Sequence, residues 1–146
     1  MFMGEYNHSV DAKGRTIVPA KLREGLGETF VITKGLDGCL FVYSLEEWEK
    51  FEQKMQEQPQ VSSSEMRKVI RFFLSGAMQC EVDKQGRILI PSNLREFAGL
   101  TKDIVFIGAL NRVEIWDKAK WDECNIEYND NMNDVIADME KLGFNF

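Results

Sequence analysis

Residues 11 to 24 read DAKGRTIVPAKLRE, and residues 83 to 96 read DKQGRILIPSNLRE. A shift of 72 positions superimposes the two stretches without a gap. Seven of the fourteen pairs are identical: Asp11/Asp83, Gly14/Gly86, Arg15/Arg87, Pro19/Pro91, Leu22/Leu94, Arg23/Arg95 and Glu24/Glu96. Unrelated segments of average composition would share about one. The same shift pairs Gly4 with Gly76 and Val10 with Val82, and a shift of 73, one inserted residue later, pairs Gly35 with Gly108, Tyr43 with Trp116 and Trp48 with Trp121. The chain is a tandem duplication with units near 2–60 and 74–130, and a repeat of this kind decides the fold before any local pattern does.

Within each unit, GEYNHSV and GAMQCEV before the aspartate carry strand-type patterns, as do RTIVP and RILIP behind it. The Asp-x-x-Gly between them has turn chemistry, because the carboxylate reaches backbone amides ahead of it and Gly14 or Gly86 accepts a positive φ without steric cost. Pro19 and Pro91 suit the first position of a short helix, where a missing N–H costs nothing, and Gly99 suits the end of the second one. TFVIT and IVFIGA, then LFVYS and VEIWD, read as the remaining strands.

Ser44 with Glu47 forms a capping box, opening a helix with Leu45, Trp48, Phe51 and Met55 on one side. Gln58 to Ser64 is the connector, and Met66, Val69, Ile70 and Phe73 mark another amphipathic helix. After an Asn/Asp-rich break at 129–134, Val135, Met139 and Leu142 repeat the theme, with Gly143 as a stop. Each unit is thus ββαββ followed by a helix, an α+β fold. Units of roughly 70 residues seldom build a sufficient core alone, and short strands leave open edges. The two units are expected to share a sheet as intertwined pseudo-twofold partners, with the two turns brought close together.

The 146 residues hold 24 acids against 18 Lys and Arg, a net charge of −6 that is unfavourable for nucleic acid. The distribution is uneven: residues 1–44 carry five acids and five bases, 45–60 five and two, 61–113 five and eight, and 114–146 nine and three. The repeated part keeps a neutral to basic balance, and the acidity gathers in the tail. No apolar run approaches the roughly 18 residues of a membrane span, and the N-terminal stretch lacks the regions of a signal peptide. A cytoplasmic protein with no membrane partner is expected.

Cys39, Cys80 and Cys124 stand far apart with no CxxC pair, which fits reduced structural thiols better than disulfides or zinc. His8 is the single histidine, and a Cys-His nucleophile lacks both an orienting group and an oxyanion site. No phosphate loop, GxSxG or HExxH occurs, so the reading is of no enzyme, no metal and no cofactor. Trp48, Trp116 and Trp121 recur at equivalent places and read as core anchors.

The stretches MFMGEY, VDAKGR, IVPAKLRE, FFLSGA, VDKQGRILIP and VEIWDKAKW together resemble the MraZ family, whose hallmark is a duplicated Asp-x-x-x-Arg motif on two SpoVT/AbrB-like modules. The likeness covers nearly the full length. It implies a duplicated swapped-hairpin AbrB-like β-barrel, with DNA-binding modules at 5–47 and 76–119, a helical connector at 48–75 and a C-terminal helical tail at 120–146. It also implies a ring-shaped homo-oligomer at the nucleoid. This would bind short direct repeats in double-stranded promoter DNA and repress its own promoter and the division and cell-wall gene cluster.

Chemistry supports a role for the motif under that resemblance. Arginine's planar fork can donate to guanine O6 and N7 together, and β-ribbons read grooves with such side chains, so Arg15 and Arg87 are the candidates for base contact. Asp11 and Asp83 would orient them through charge-assisted bonds, Gly14 and Gly86 would close the turns, and Lys13 and Lys84 would meet phosphates. The lysines do not align, since Ala12 stands opposite Lys84 and Lys13 opposite Gln85, which predicts unequal halves. Taken alone, without the duplication and the resemblance, an Asp-x-x-Gly-Arg turn reads first as a surface turn closed by its own ion pair. A protein-interaction or antitoxin-like scaffold that reads no DNA is the alternative. Arg23 and Arg95 are expected to brace the short helix and the partner unit, and Arg67, Lys68 and Arg71 to form a solvated basic run.

Overall fold

The computed structural model describes residues 1–59 and 63–145. Eight strands and five helices follow one another as β1 Glu5–Ser9, β2 Arg15–Ile17, α1 Ala20–Leu26, β3 Thr29–Lys34, β4 Leu40–Ser44, α2 Leu45–Gln56, α3 Ser64–Gly76, β5 Met78–Glu81, β6 Arg87–Leu89, α4 Ser92–Ala98, β7 Asp103–Ala109, β8 Arg112–Asp117 and α5 Lys118–Lys141. The order ββαββα therefore occurs twice, with α3 between the copies. Six strands form one antiparallel sheet in the order β1-β7-β8-β4-β3-β5, and β2 and β6 form a separate two-stranded ribbon.

The pairing explains why neither repeat stands alone. β1 pairs with β7 and β5 pairs with β3, so the first strand of each repeat covers the edge of the other's third strand. β4 and β8 meet at the centre of the sheet. Strand alternation then builds two cores. Phe30, Ile32, Leu40, Val42, Ile104, Phe106, Val113 and Ile115 face the ribbon, α1 and α4, and they close over Val18, Leu22, Ile88, Ile90 and Leu94. Val31, Phe41, Tyr43, Val105 and Trp116 point the other way, against Trp48 of α2 and Phe73 of α3. Trp48 and Trp116 are buried anchors, and Trp121 packs beside Trp116 at 5.5 Å between ring centres.

Several expectations shift by a residue or more. Pro19 and Pro91 are N-caps rather than first helical residues, because their ψ angles of 130° and 147° are still extended. Gly99 ends α4 in the left-handed region at φ 59°, as expected. At the third strand the repeats lie 74 positions apart, since Ser9 pairs with Asp103 where its counterpart Glu81 pairs with Thr29. The offset of 73 returns at β4 and β8, because the β3–β4 loop is longer than the β7–β8 turn.

The Ser44 hydroxyl accepts from the Glu47 amide at 3.2 Å, but the Glu47 carboxylate pairs with Lys50, so half of the capping box forms. Leu45 and Val69 are exposed rather than on the packed stripes. The break read at 129–134 does not exist. α5 runs through it unbroken, because Asn and Asp lower helix propensity by at most about 0.7 kcal/mol each and no glycine or proline interrupts the segment. Of the connector, residues 60–62 lie outside the described residues.

Ile90 tests the shared core. Its side chain is fully buried beneath the sheet. Ile90→Ala is expected to destabilise the protein by about 2–5 kcal/mol in urea unfolding.

Candidate nucleic-acid interface

Each Asp-x-x-Gly-Arg turn is a closed hydrogen-bond ring. The Asp11 carboxylate accepts from the Lys13 amide at 2.9 Å and the Arg15 amide at 2.8 Å through Oδ1, and from Arg15 Nε at 2.8 Å through Oδ2. The Asp11 amide donates to the Arg15 carbonyl, and the Gly14 amide donates to the Asp11 carbonyl. Gly14 sits at φ 85°, which the ring requires and an L side chain resists. The second turn repeats this contact for contact: Asp83 accepts from Gln85 N, Arg87 N and Arg87 Nε, each at 2.9 Å, and Gly86 sits at φ 78°.

The ring fixes the guanidinium without spending it. Only Nε is bound, and among the described residues the Nη nitrogens of Arg15 and Arg87 make no hydrogen bond, so the forked ends are left to donate. Both aspartates are held below the usual carboxylate range, first by the backbone amide of the arginine and also by its side chain.

The turns are joined across the repeats. Val18 N–H donates to the Gly86 carbonyl and Ile90 N–H to the Gly14 carbonyl, each at 2.9 Å. In the ribbon Arg15 pairs with Leu89, and Ile17 with Arg87, about the central Thr16–Ile88 pair. Alternation turns buried Thr16 and Ile88 inward and sets Arg15, Ile17, Arg87 and Leu89 on one outer face. The two arginines are diagonal neighbours there, about 7–8 Å apart by strand geometry. Ile17 and Leu89 are 49% and 55% exposed between them. The sequence reading passes over this apolar pair. Its only signal is that alternate ribbon positions hold large apolar residues.

Lys13 and Lys84 are exposed at the turn tips. The structure thus sets all eight motif residues on the β2–β6 ribbon and the two turns that lead into it. Arg23 and Arg95 take part from the opposite repeat. A Cβ added at Gly14 would lie 2.7 Å from Arg95 Cζ, and one at Gly86 would collide with Arg23 Nη1, so each arginine backs the turn of the other unit. Arg67, Lys68 and Arg71 lie exposed on α3 and belong to none of this.

The remaining chemistry-bearing residues are spent on packing. His8 stands edge-on to Phe106 at 5.7 Å, with its pKa lowered by burial. Burial raises the thiol pKa of Cys39 and pushes that of Cys80 up to about 11, so neither is a ready nucleophile. Among the described residues no group of three or more His, Cys, Asp or Glu is placed to hold a metal, and no helix is long and apolar enough to cross a membrane.

The depressed aspartate pKa values carry a pH signature. A carboxyl whose folded pKa lies below 3.8 adds stability above that value and loses it as pH falls through the lower folded one. Asp11→Asn with Asp83→Asn is expected to lower Tm at neutral pH, and the gap to the parent should close below pH 3.8. Equal melting at neutral pH would contradict the ring.

The family model described as "MraZ protein, putative antitoxin-like" matches residues 1–70 and 73–141. The chain is 55% identical to the transcriptional regulator MraZ of Lachnoclostridium phytofermentans over 146 residues, covering 100% of both chains. It is 56% identical to that of Acetivibrio thermocellus over 143 residues, covering 98% of this chain and 99% of the other. A third, from Natranaerobius thermophilus, shares 60% over 122 residues, covering 84% and 85%. With the turns, their spacing and these matches in hand, the chain belongs to the MraZ family.

Proposed function

We propose that this chain is a sequence-specific DNA-binding transcriptional regulator whose ribbon face reads a groove of double-stranded promoter DNA. The observation that carries the reading is the single Nε bond on each arginine, which holds Arg15 and Arg87 in place and leaves both Nη groups to donate. Such a fork suits guanine O6 and N7, and exposed Ile17 and Leu89 beside it suit thymine methyl groups. A diagonal of about 7–8 Å between the two arginine positions on the ribbon corresponds to roughly two base-pair steps. Asp11 and Asp83 orient the arginines, Gly14 and Gly86 close the turns, and Lys13 and Lys84 meet flanking phosphates. The relatives' printed names support regulation of transcription as the setting.

In this reading the exchanged first strands and paired turns make a duplicated swapped-hairpin, pseudo-twofold AbrB-like barrel. The DNA-binding modules are 5–47 and 76–119, joined by the helical connector 48–75 and followed by the helical tail 120–146. One ribbon offers a small footprint on a chain of net charge −6. Affinity then comes from assembly: protomers of a ring seat successive ribbons on short direct repeats at a high effective concentration. The protein acts in the cytoplasm at the nucleoid, repressing its own promoter and the division and cell-wall cluster.

The test is a gel-shift titration on the duplex upstream of the chain's own gene. Each of Arg15→Ala and Arg87→Ala is expected to cost about 1–3 kcal/mol of discrimination, and the double variant to lose the shift while assembly is unchanged. Its melting should fall by less than that of Asp11→Asn with Asp83→Asn, since the backbone amides of positions 15 and 87 still reach the aspartates. Unchanged binding by the double variant would assign the protein to a scaffold role instead.

A further inference from the structure

The strand register makes the two turns electrically unequal. Val10 and Val82, each just before a motif aspartate, donate their amides to the carbonyls of Lys102 and Glu28, at 2.8 and 2.9 Å. Lys102 and Glu28 therefore hold the same place beside their respective turns, and the charge there is reversed. Aligning the repeats with one inserted residue hides this, because it sets Glu28 opposite Thr101.

The surroundings sharpen the contrast. Beside the first turn, Lys102 lines a shallow depression of about 480 Å³ together with Ala12, Asp11, Arg95 and Thr101. Asp11 is already bound to Arg15, and Thr101 is fixed by the Asp117 carboxylate, which accepts from its amide at 3.0 Å and its hydroxyl at 2.6 Å. Among the described residues Arg95 has no carboxylate partner, and its Nε is covered without an acceptor. Neighbouring Asp103 lines a different depression, with His8 and Lys118. Each tip carries one lysine, Lys13 in the first turn and Lys84 in the second, so the difference between the turns rests on Lys102 against Glu28.

We propose that Lys102 and Arg95 form a binding site for a DNA backbone phosphate beside the first turn, and that Glu28 denies the second turn its equivalent. The inference rests on the DNA-reading function above. It gives each protomer a strongly and a weakly held end, and so a direction along the duplex, which is what head-to-tail protomers on direct repeats require. The phosphate contact carries no sequence information, so it adds affinity equally on any duplex.

The test is fluorescence anisotropy across a salt series, using the duplex upstream of the chain's own gene and a scrambled duplex of equal length. Lys102 and Glu28 are both exposed, so substitution leaves the core intact. Lys102→Gln is expected to weaken binding to both duplexes and to flatten the log-affinity against log-salt slope by about 0.9 per seated protomer, the value of one phosphate contact. Glu28→Lys should steepen the slope by a similar amount, a gain that misfolding cannot imitate. A wild-type slope for both variants would overturn the proposal while leaving the reading intact if Arg15→Ala with Arg87→Ala still abolishes binding. A wild-type protein that binds neither duplex would overturn both.

Discussion

The arrangement of the two turns depends on one bond made twice, from arginine Nε to the aspartate four residues earlier in the chain. A free arginine on a hairpin tip samples many rotamers and loses that freedom on binding, at a cost of about 0.5–1.5 kcal/mol per side chain. Here the loss is taken during folding. The carboxylate also collects two backbone amides, so the group that orients the arginine is the same one that closes the turn. Glycine at positive φ completes the arrangement, and the opposite repeat's arginine lies where a Cβ would have to go.

The exchange of first strands gives those turns a rigid base. β1 completes the sheet beside β7, and β5 beside β3, so each repeat supplies an edge the other needs. The two glycine carbonyls accept amides from opposite repeats, tying the turns into one ribbon above a common core. Position at the tip is thus set by two repeats at once. Losing one repeat's strand would displace both arginines.

Much of this was legible in the sequence, for identifiable reasons. The duplicated motif specified its own turn chemistry, and the element order followed from strand patterns, prolines and Gly99. The sharing of one sheet followed from the size of the units. What escaped was set by tertiary register. The offset of 74 at the third strand appears only when Ser9 is seen opposite Asp103 and Glu81 opposite Thr29, and the meaning of Lys102 went with it. The Asn/Asp-rich run suggested a break because local propensity is weak evidence inside a long helix. Exposed Ile17 and Leu89 escaped too, because residue type alone does not say that these positions of the separate ribbon face outward.

The most direct measurement is nitrogen-resolved NMR of the arginine side chains while the upstream duplex is added to the protein. With the forks reading bases and Nε kept by aspartate, the Nη signals of Arg15 and Arg87 should shift and sharpen into slow rotation while their Nε signals stay near their free positions. Saturating duplex that leaves these Nη signals unmoved, with perturbations confined to α2, α3 or α5, would contradict the account.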